Sequence, residues 1–187
     1  MILYLHGFNS SPSSFKARVF AERLRRLGRG DEFVCPALPV SPMLAIRVAE
    51  DAIERHVGEP IGLVGSSMGG YYATWLAEKY GLKAALVNPA VQPYALLRDF
   101  IGVQKNFHSV AQLTLQLVEQ LRQFDVAKVS KPERYLLLTQ TGDKVLDYRA
   151  AVKKYYGARQ VVIDGGDHSF VGFEQYITPI LEFLEKN

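Results

Sequence analysis

The chain has 187 residues, 48% of them apolar, and a formal net charge of +3 from 22 Lys and Arg against 19 Asp and Glu. This length fits a single domain with a full hydrophobic core, which needs no metal or disulfide to fold, and Cys35 is the only cysteine. The weak charge argues against nucleic acid or a membrane surface as a partner, and no apolar run approaches the roughly 20 residues that span a bilayer.

The chain opens with a short apolar segment, residues 2–5, which leads directly into a His-Gly pair. No basic residues precede this segment, and it is shorter than the hydrophobic region of a signal peptide. With a single cysteine as well, we expect a cytoplasmic protein. Cys35 itself lies in another apolar segment, and we expect a buried small hydrophobe there rather than a reactive thiol.

Short apolar segments alternate with segments of helical periodicity along the chain. Strands are predicted at 2–5, 33–35, 61–64, 84–87, 135–139 and 161–163, and helices at 15–27, 42–57, 71–80, 149–156 and 173–184. The strands lack the apolar-polar alternation of a half-solvated sheet, so we expect them to be buried on both faces. The pattern predicts an α/β domain with a parallel sheet.

Residues 90–131 interrupt this alternation. We expect these forty or so residues to contain no strand and to be mostly helical, judging from the spacing of their apolar side chains. A crossover between parallel strands needs only one helix. We therefore predict a single domain over residues 1–187, in which residues 90–131 form a short helical cap over one end of the sheet.

The segment Gly65-Ser66-Ser67-Met68-Gly69 follows the third predicted strand and precedes a helix. This is the G-x-S-x-G pattern in the context where a sharp turn exposes the serine hydroxyl. Glycines are needed at its ends because side chains there would collide across the turn. Ser67 is therefore a candidate nucleophile, although an ordinary Gly/Ser-rich turn has the same composition.

A serine hydroxyl needs a base to accept its proton, and His168 is the best candidate. It lies in a Gly-rich loop after the sixth strand, which should open on the same edge of a parallel sheet as Ser67. Asp143 directly follows the fifth strand and could orient the imidazole. Asp147 is a rival, but we expect it to be a helix N-cap, whereas turn chemistry accounts for Asp164 and Asp167.

Backbone N–H groups at the same edge could stabilise an oxyanion. The predicted donors are the amides of Phe8, after the first strand, and Met68, after the nucleophile. We expect His6 to hold its loop through hydrogen bonds rather than to react. His56 should be solvated or should cap a helix end, and His108 should lie on the surface of the cap.

The chain order Ser67, Asp143, His168, with each residue just past a different strand, is the order found in the α/β-hydrolase fold. These positions and His6-Gly7-Phe8 resemble the α/β-hydrolase superfamily, and the opening ILYLHGFNSSP is most similar to the small YqiA-type bacterial esterases. The resemblance implies a minimal α/β-hydrolase fold of about six mostly parallel strands flanked by helices. It also implies a Ser67-His168-Asp143 triad that cleaves small-molecule carboxylic esters or thioesters of small to medium acyl groups, with no metal and no cofactor.

Other functions could use the same residues. A peptidase, a lactonase or an acyl transferase remains open, because a fold does not determine the leaving group. A non-catalytic ligand-binding protein on this fold would be expected to lose one catalytic part, whereas this chain keeps all of them. Nucleotide-binding proteins are excluded because no G-x-G-x-x-G or G-x-x-x-x-G-K-[ST] follows any strand. The oligomeric state stays open.

Overall fold

The computed structural model describes residues 1–97, 102–105, 110–113 and 115–186. The strands are β1 (Ile2–Leu5), β2 (Phe33–Val34), β3 (Gly62–Ser66), β4 (Lys83–Val87), β5 (Gly102–Lys105), β6 (Val110–Leu113), β7 (Tyr135–Gln140) and β8 (Arg159–Ile163). The helices are α1 (Phe15–Arg26), α2 (Pro42–Glu54), α3 (Met68–Tyr80), α4 (Pro93–Leu97), α5 (Leu115–Arg122), α6 (Tyr148–Lys154) and α7 (Ile177–Glu185). Within these ranges, no helix is both long and apolar enough to cross a membrane.

Six strands form one parallel sheet in the order β2-β1-β3-β4-β7-β8, which confirms the predicted α/β class. In its register, Leu5 lies opposite Gly65, and Val87 lies opposite Leu138. Because all six strands run in the same direction, their carboxyl ends meet at one edge. The loops that follow β1, β3, β4, β7 and β8 therefore begin at this edge.

The sheet carries a hydrophobic cluster on each face. Leu3 and Leu5 pack on the side of α2, α3 and α6, whereas Ile2 and Tyr4 pack on the side of α1 and α7. This two-sided cover explains why the central strands show no apolar-polar alternation. Full burial was wrong for the two edge strands, however: β2 is half-buried throughout, and Val162 in β8 is 44% exposed. An edge strand has a neighbour on one side only.

Most predicted helices lie where their periodicity placed them, with differences at their ends. The helix predicted at 42–57 ends at Glu54, and the helix predicted at 149–156 ends at Lys154. The helix predicted at 71–80 starts three residues earlier, because α3 begins at Met68, directly after Ser67. The helix predicted at 173–184 is divided into a short 3₁₀ turn, Phe173–Tyr176, and α7.

The expectation that residues 90–131 contain no strand was wrong. Between α4 and α5, strands β5 and β6 pair in an antiparallel two-stranded ladder. Short apolar runs fit a strand as well as a helix, so periodicity could not distinguish the two here. The helix α5 packs against the domain through Val118 and Leu121, which are buried. The Tyr71 hydroxyl of α3 donates a hydrogen bond to the Leu121 carbonyl at 2.6 Å. The function of this segment as a cap stays a prediction.

Candidate active site

The turn between β3 and α3 holds Ser67 in a strained conformation, with φ +55° and ψ −120°. A Cβ on Gly65 would lie 2.4 Å from the Gly69 carbonyl oxygen, and a Cβ on Gly69 would lie 1.9 Å from the Leu5 carbonyl oxygen. Both positions therefore require glycine, as the motif predicted. The Ser67 N–H donates to the Val87 carbonyl at 3.0 Å, so the neighbouring strand also holds the turn.

Ser67, His168 and Asp143 come together at the carboxyl edge of the sheet. The Ser67 Oγ lies 3.1 Å from His168 Nε2, and His168 Nδ1 lies 2.8 Å from Asp143 Oδ2. An ionised carboxylate can only accept, so Nδ1 carries the proton and donates to Asp143. Nε2 is then free to accept the hydrogen bond from the Ser67 hydroxyl.

Asp143 is fixed by its own loop as well as by His168. Its Oδ1 accepts hydrogen bonds from the backbone N–H groups of Val145 and Leu146, at 2.8 and 2.9 Å. Its side chain is 1% exposed, whereas that of His168 is 29% exposed. Burial by itself raises the pKa of Asp143, but the hydrogen bonds from His168, Leu146 and Val145 outweigh it and hold the pKa below its ordinary value. Asp143 is therefore an ionised, buried acceptor.

The rival carboxylates have other partners. Asp147 caps α6 by accepting from the Arg149 N–H, as expected. Asp164 accepts from the Thr141 hydroxyl at 2.9 Å. Asp167 is exposed and lies in the same loop as His168, directly before it in the chain. His168 Nδ1 is thus paired with Asp143.

Two buried polar residues that the sequence reasoning missed hold the His168 loop. The Asn88 side-chain amide donates to the backbone carbonyls of Asp167 and His168, at 3.0 and 3.3 Å. Gln140 Oε1 accepts from the backbone N–H groups of Asp167 and Val171, at 3.1 and 2.9 Å. Asn88 Oδ1 in turn accepts from the Gln140 N–H at 3.0 Å, which joins the two. Polar residues at the carboxyl ends of apolar strands were the available signal.

Phe170 anchors the same loop to the core. Its side chain is 1% exposed, and its ring makes edge-on contacts with Phe173 and Tyr176. Its φ is +66°, a left-handed conformation that is unfavourable for a bulky residue. Burial of the ring offsets this strain, so the loop is held in one conformation close to His168.

The predicted oxyanion donors lie beside Ser67. A Cβ on Gly7 would be 3.2 Å from the Ser67 Cβ, so the loop after β1 passes directly over Ser67. Phe8 lines the same cleft as Ser67, and Phe8 and Met68 both line a smaller cavity on the other side of this loop residue. His6 stabilises the loop as expected: Nδ1–H donates to the Gly7 carbonyl and Nε2 accepts from the Leu38 N–H, both at 3.0 Å.

The Ser67 hydroxyl opens into a cleft of about 270 Å³ between the loop after β1 and the start of α1. Phe8, Lys16 and His168 are among the side chains that line it. Within the described ranges, no three His, Cys, Asp or Glu side chains are grouped so that they could hold a metal ion. His56 follows the end of α2, where its Nδ1 donates to the Ala52 carbonyl of the last turn. His108 lies outside the described residues.

Comparison with proteins of known structure identifies the fold. Over 98% of the chain it is similar to α/β hydrolase domain-containing protein 10 from mouse, with a TM-score of 0.75, 15% identity and 89% of that chain covered. Over 97% of the chain it is similar to Est1E from Butyrivibrio proteoclasticus, solved with ferulic acid bound, with a TM-score of 0.70, 18% identity and 86% covered. These likenesses confirm the α/β-hydrolase fold.

Sequence comparison places the chain in a family. It is 24% identical to a UPF0227 protein of Vibrio vulnificus over 192 aligned positions, which cover all of both chains. The model of the uncharacterised protein family UPF0227 matches residues 1–185. The chain, which has the α/β-hydrolase fold, therefore belongs to the UPF0227 family, as its resemblance to the YqiA-type proteins predicted.

Proposed function

We propose that the protein is a serine hydrolase that cleaves carboxylic esters or thioesters of small to medium acyl groups. One observation carries the proposal: two hydrogen bonds connect the strained Ser67, through His168, to the buried Asp143. This arrangement makes a serine hydroxyl nucleophilic, because the imidazole can accept its proton and the carboxylate stabilises the imidazolium that forms.

In the acylation step, Ser67 Oγ attacks the carbonyl carbon of the ester while its proton passes to His168 Nε2. The backbone amides of Phe8 and Met68 donate hydrogen bonds to the oxyanion of the tetrahedral intermediate, and the N-terminus of α3 adds a favourable field. His168 then gives its proton to the leaving alcohol or thiol as the bond to the acyl carbon breaks. An acyl group remains bound to Ser67.

In the deacylation step, water takes the position of the leaving group. His168 accepts a proton from the water, the hydroxide attacks the acyl carbon, and Ser67 Oγ regains its proton from His168. The carboxylic acid leaves and the triad returns to its starting state. Activity should decline in acid, because a protonated imidazole cannot accept the proton of Ser67.

The size of the cleft supports small to medium substrates. About 270 Å³ is below the range of roughly 300–1,000 Å³ that is usual for sites that enclose a drug-sized ligand. The esterases and lipolytic enzymes among the structurally similar proteins, such as Est1E, also favour an ester. The fold itself also supports peptidases and acyl transferases, so the leaving group must be measured.

Steady-state kinetics on 4-nitrophenyl and thiol esters of increasing acyl length test the proposal. We expect turnover of short and medium acyl groups, and a loss of about 1,000-fold or more in kcat on Ser67→Ala. Ser13→Ala, which removes an exposed serine near the start of α1, is the matched control and should retain the activity. Wild-type protein that turns over no ester, or Ser67→Ala at wild-type rate, would contradict the proposal.

A further inference from the structure

Lys16 lies in the first turn of α1 and is not part of the triad or the oxyanion site. Its Nζ donates a hydrogen bond to the backbone carbonyl of Ser169 at 2.9 Å. Because Ser169 directly follows His168, this bond holds the amine close to the catalytic base, where Lys16 lines the same cleft as Ser67. The ammonium group carries three N–H donors, and the hydrogen bond to Ser169 occupies only one of them.

The surroundings of Lys16 leave its charge poorly compensated. Burial lowers the pKa of Lys16, and the carboxylates of Asp167 and Asp143 oppose this effect without cancelling it. Asp143 already accepts hydrogen bonds from its own loop and from His168. A partly desolvated ammonium group beside a cleft is therefore suited to an anion that brings its own negative charge.

The N-terminus of α1 opens into the same cleft, through Ser14, Phe15 and Lys16. Ser14 is the N-cap, yet its side chain makes no capping hydrogen bond, and the first turn contains no acidic residue. The first N–H groups of a helix have no partner within the helix, and the helix dipole favours an anion near them. This 12-residue helix therefore has neither a capping side chain at Ser14 nor a carboxylate in its first turn to balance its N-terminus.

The hydroxyl of Tyr4 is an independent sign of a ligand. Tyr4 is 1% exposed and lines the cleft, and its hydroxyl oxygen makes no hydrogen bond of ordinary geometry in the described part of the chain; the Ser66 side chain lies near it but does not satisfy it. Burial raises the pKa of Tyr4, so the hydroxyl keeps its proton and can donate. A buried polar group without a partner is unfavourable, and an acceptor atom of a bound ligand would satisfy it.

We propose that Lys16, the N-terminus of α1 and the Tyr4 hydroxyl form an anion-binding subsite beside Ser67, and that the substrate is an ester or thioester with a negatively charged group a few bonds from the scissile carbonyl. The inference rests on the proposed hydrolase function and names its substrate class. The anionic group belongs either to the acyl part or to the leaving group. Because Lys16 and Ser67 line the same cleft, the anionic group lies within a few bonds of the reacting carbon in both cases.

Two matched substrate pairs test the subsite and distinguish an anionic group on the acyl part from one on the leaving group. Mono-4-nitrophenyl adipate and 4-nitrophenyl hexanoate differ only by a carboxylate in place of a methyl group on the acyl chain. In the second pair, 3-carboxy-4-nitrophenyl butyrate and 4-nitrophenyl butyrate differ by a carboxylate on the leaving group. The measured quantity is the ratio of kcat/KM for the anionic ester to kcat/KM for the neutral ester, after subtraction of spontaneous hydrolysis.

We expect one pair to show a ratio that falls about 10-fold or more on Lys16→Met, the size expected for a hydrogen bond to a charged group. Lys16→Arg should keep most of the preference, and added salt should weaken it in the wild type. Arg18→Met removes a charge from an exposed position of the same helix and should leave the ratio within about twofold of wild type.

The outcomes separate the subsite from the hydrolase function. If the wild type hydrolyses these esters but Lys16→Met leaves both ratios unchanged, the subsite is overturned, and Lys16 only supports Ser169. An equal effect of Arg18→Met would also overturn it, because a general charge effect would then explain the preference. If the wild type hydrolyses none of the four esters and a fluorophosphonate does not label Ser67, both proposals fail.

Discussion

Asn88 offers a direct test of how the His168 loop is held, because Asn88→Ala removes every hydrogen bond that links this side chain to the loop and to β7. The Asn88 amide loses its bonds to the carbonyls of Asp167 and His168, and the buried Gln140 N–H loses its acceptor. An unpaired buried amide costs about 1–3 kcal/mol, and a lost neutral hydrogen bond about 1 kcal/mol.

Backbone conformation adds to this cost. Asn88 has φ +40°, a region that asparagine tolerates better than alanine does, by about 1 kcal/mol. With two hydrogen bonds lost to the loop carbonyls, we therefore expect Asn88→Ala to lower the free energy of unfolding by about 4–6 kcal/mol. Because His168 is no longer held from behind, we also expect kcat/KM for 4-nitrophenyl butyrate to fall by about 100-fold, the effect of a misplacement of about 1 Å.

Urea unfolding and steady-state kinetics measure the two effects, and Tyr155→Phe is the matched control. Tyr155 is fully buried, and its hydroxyl hydrogen-bonds to Thr74 at 2.7 Å, so its removal should cost about 1 kcal/mol and leave kcat/KM within about twofold of wild type. The reasoning is refuted if Asn88→Ala loses stability but retains the activity of Tyr155→Phe under conditions where both are folded.

Other parts of the structure lead to further expectations. Asp143→Asn should lower kcat by about 10⁴-fold with little change in KM, whereas Asp147→Asn should leave both unchanged, since asparagine also caps a helix. The lowered pKa of Asp143 stabilises the fold above pH about 4, and this stabilisation is lost as the pH falls further. The free energy of unfolding should therefore fall less steeply with decreasing pH in Asp143→Asn than in the wild type, and an identical pH dependence would contradict this. Gly69→Ala should cost at least about 4 kcal/mol or abolish folding. The control is Gly30→Ala, whose Cβ would make only ordinary contacts, at 3.7 Å or more, and similar losses in the two variants would contradict the close contact of Gly69 with Leu5. Cys35 is half-buried rather than buried as the sequence suggested, and this partial burial raises its pKa to about 12. Ellman's reagent should therefore modify the native chain far more slowly at pH 8 than the chain in guanidinium, and equal rates would argue against the raised pKa.

The sheet and the positions around Ser67 could be predicted because they depend on local patterns. Runs of apolar residues define the central strands, and a parallel sheet places the residues that follow those strands at one edge. That is why Ser67, Asp143 and His168, which are far apart in the chain, could be expected to lie together. The G-x-S-x-G spacing also predicted that Gly69 has no room for a side chain, and the structure shows that a Cβ there would meet the Leu5 carbonyl of β1.

Other features depend on contacts that local patterns do not contain. Which strands lie at the edges follows from the strand order, so the exposure of Val162 could not be inferred from its apolar neighbours. The β5-β6 ladder arises from pairing between two short runs that also fit a helix. Asn88 and Gln140 act on a loop far away in sequence, and only the fold shows that their side chains meet it.

The central claim is that Ser67 is an activated nucleophile, and covalent labelling tests it most directly. The protein is treated with a fluorophosphonate, digested, and analysed by tandem mass spectrometry that distinguishes Ser67 from the adjacent Ser66. We predict one phosphonate adduct, on Ser67, and labelling that is lost in His168→Ala, because the base is needed to remove the serine proton. An unlabelled wild type, an adduct on Ser66, or labelling of Ser67 at full rate without His168 would contradict the claim.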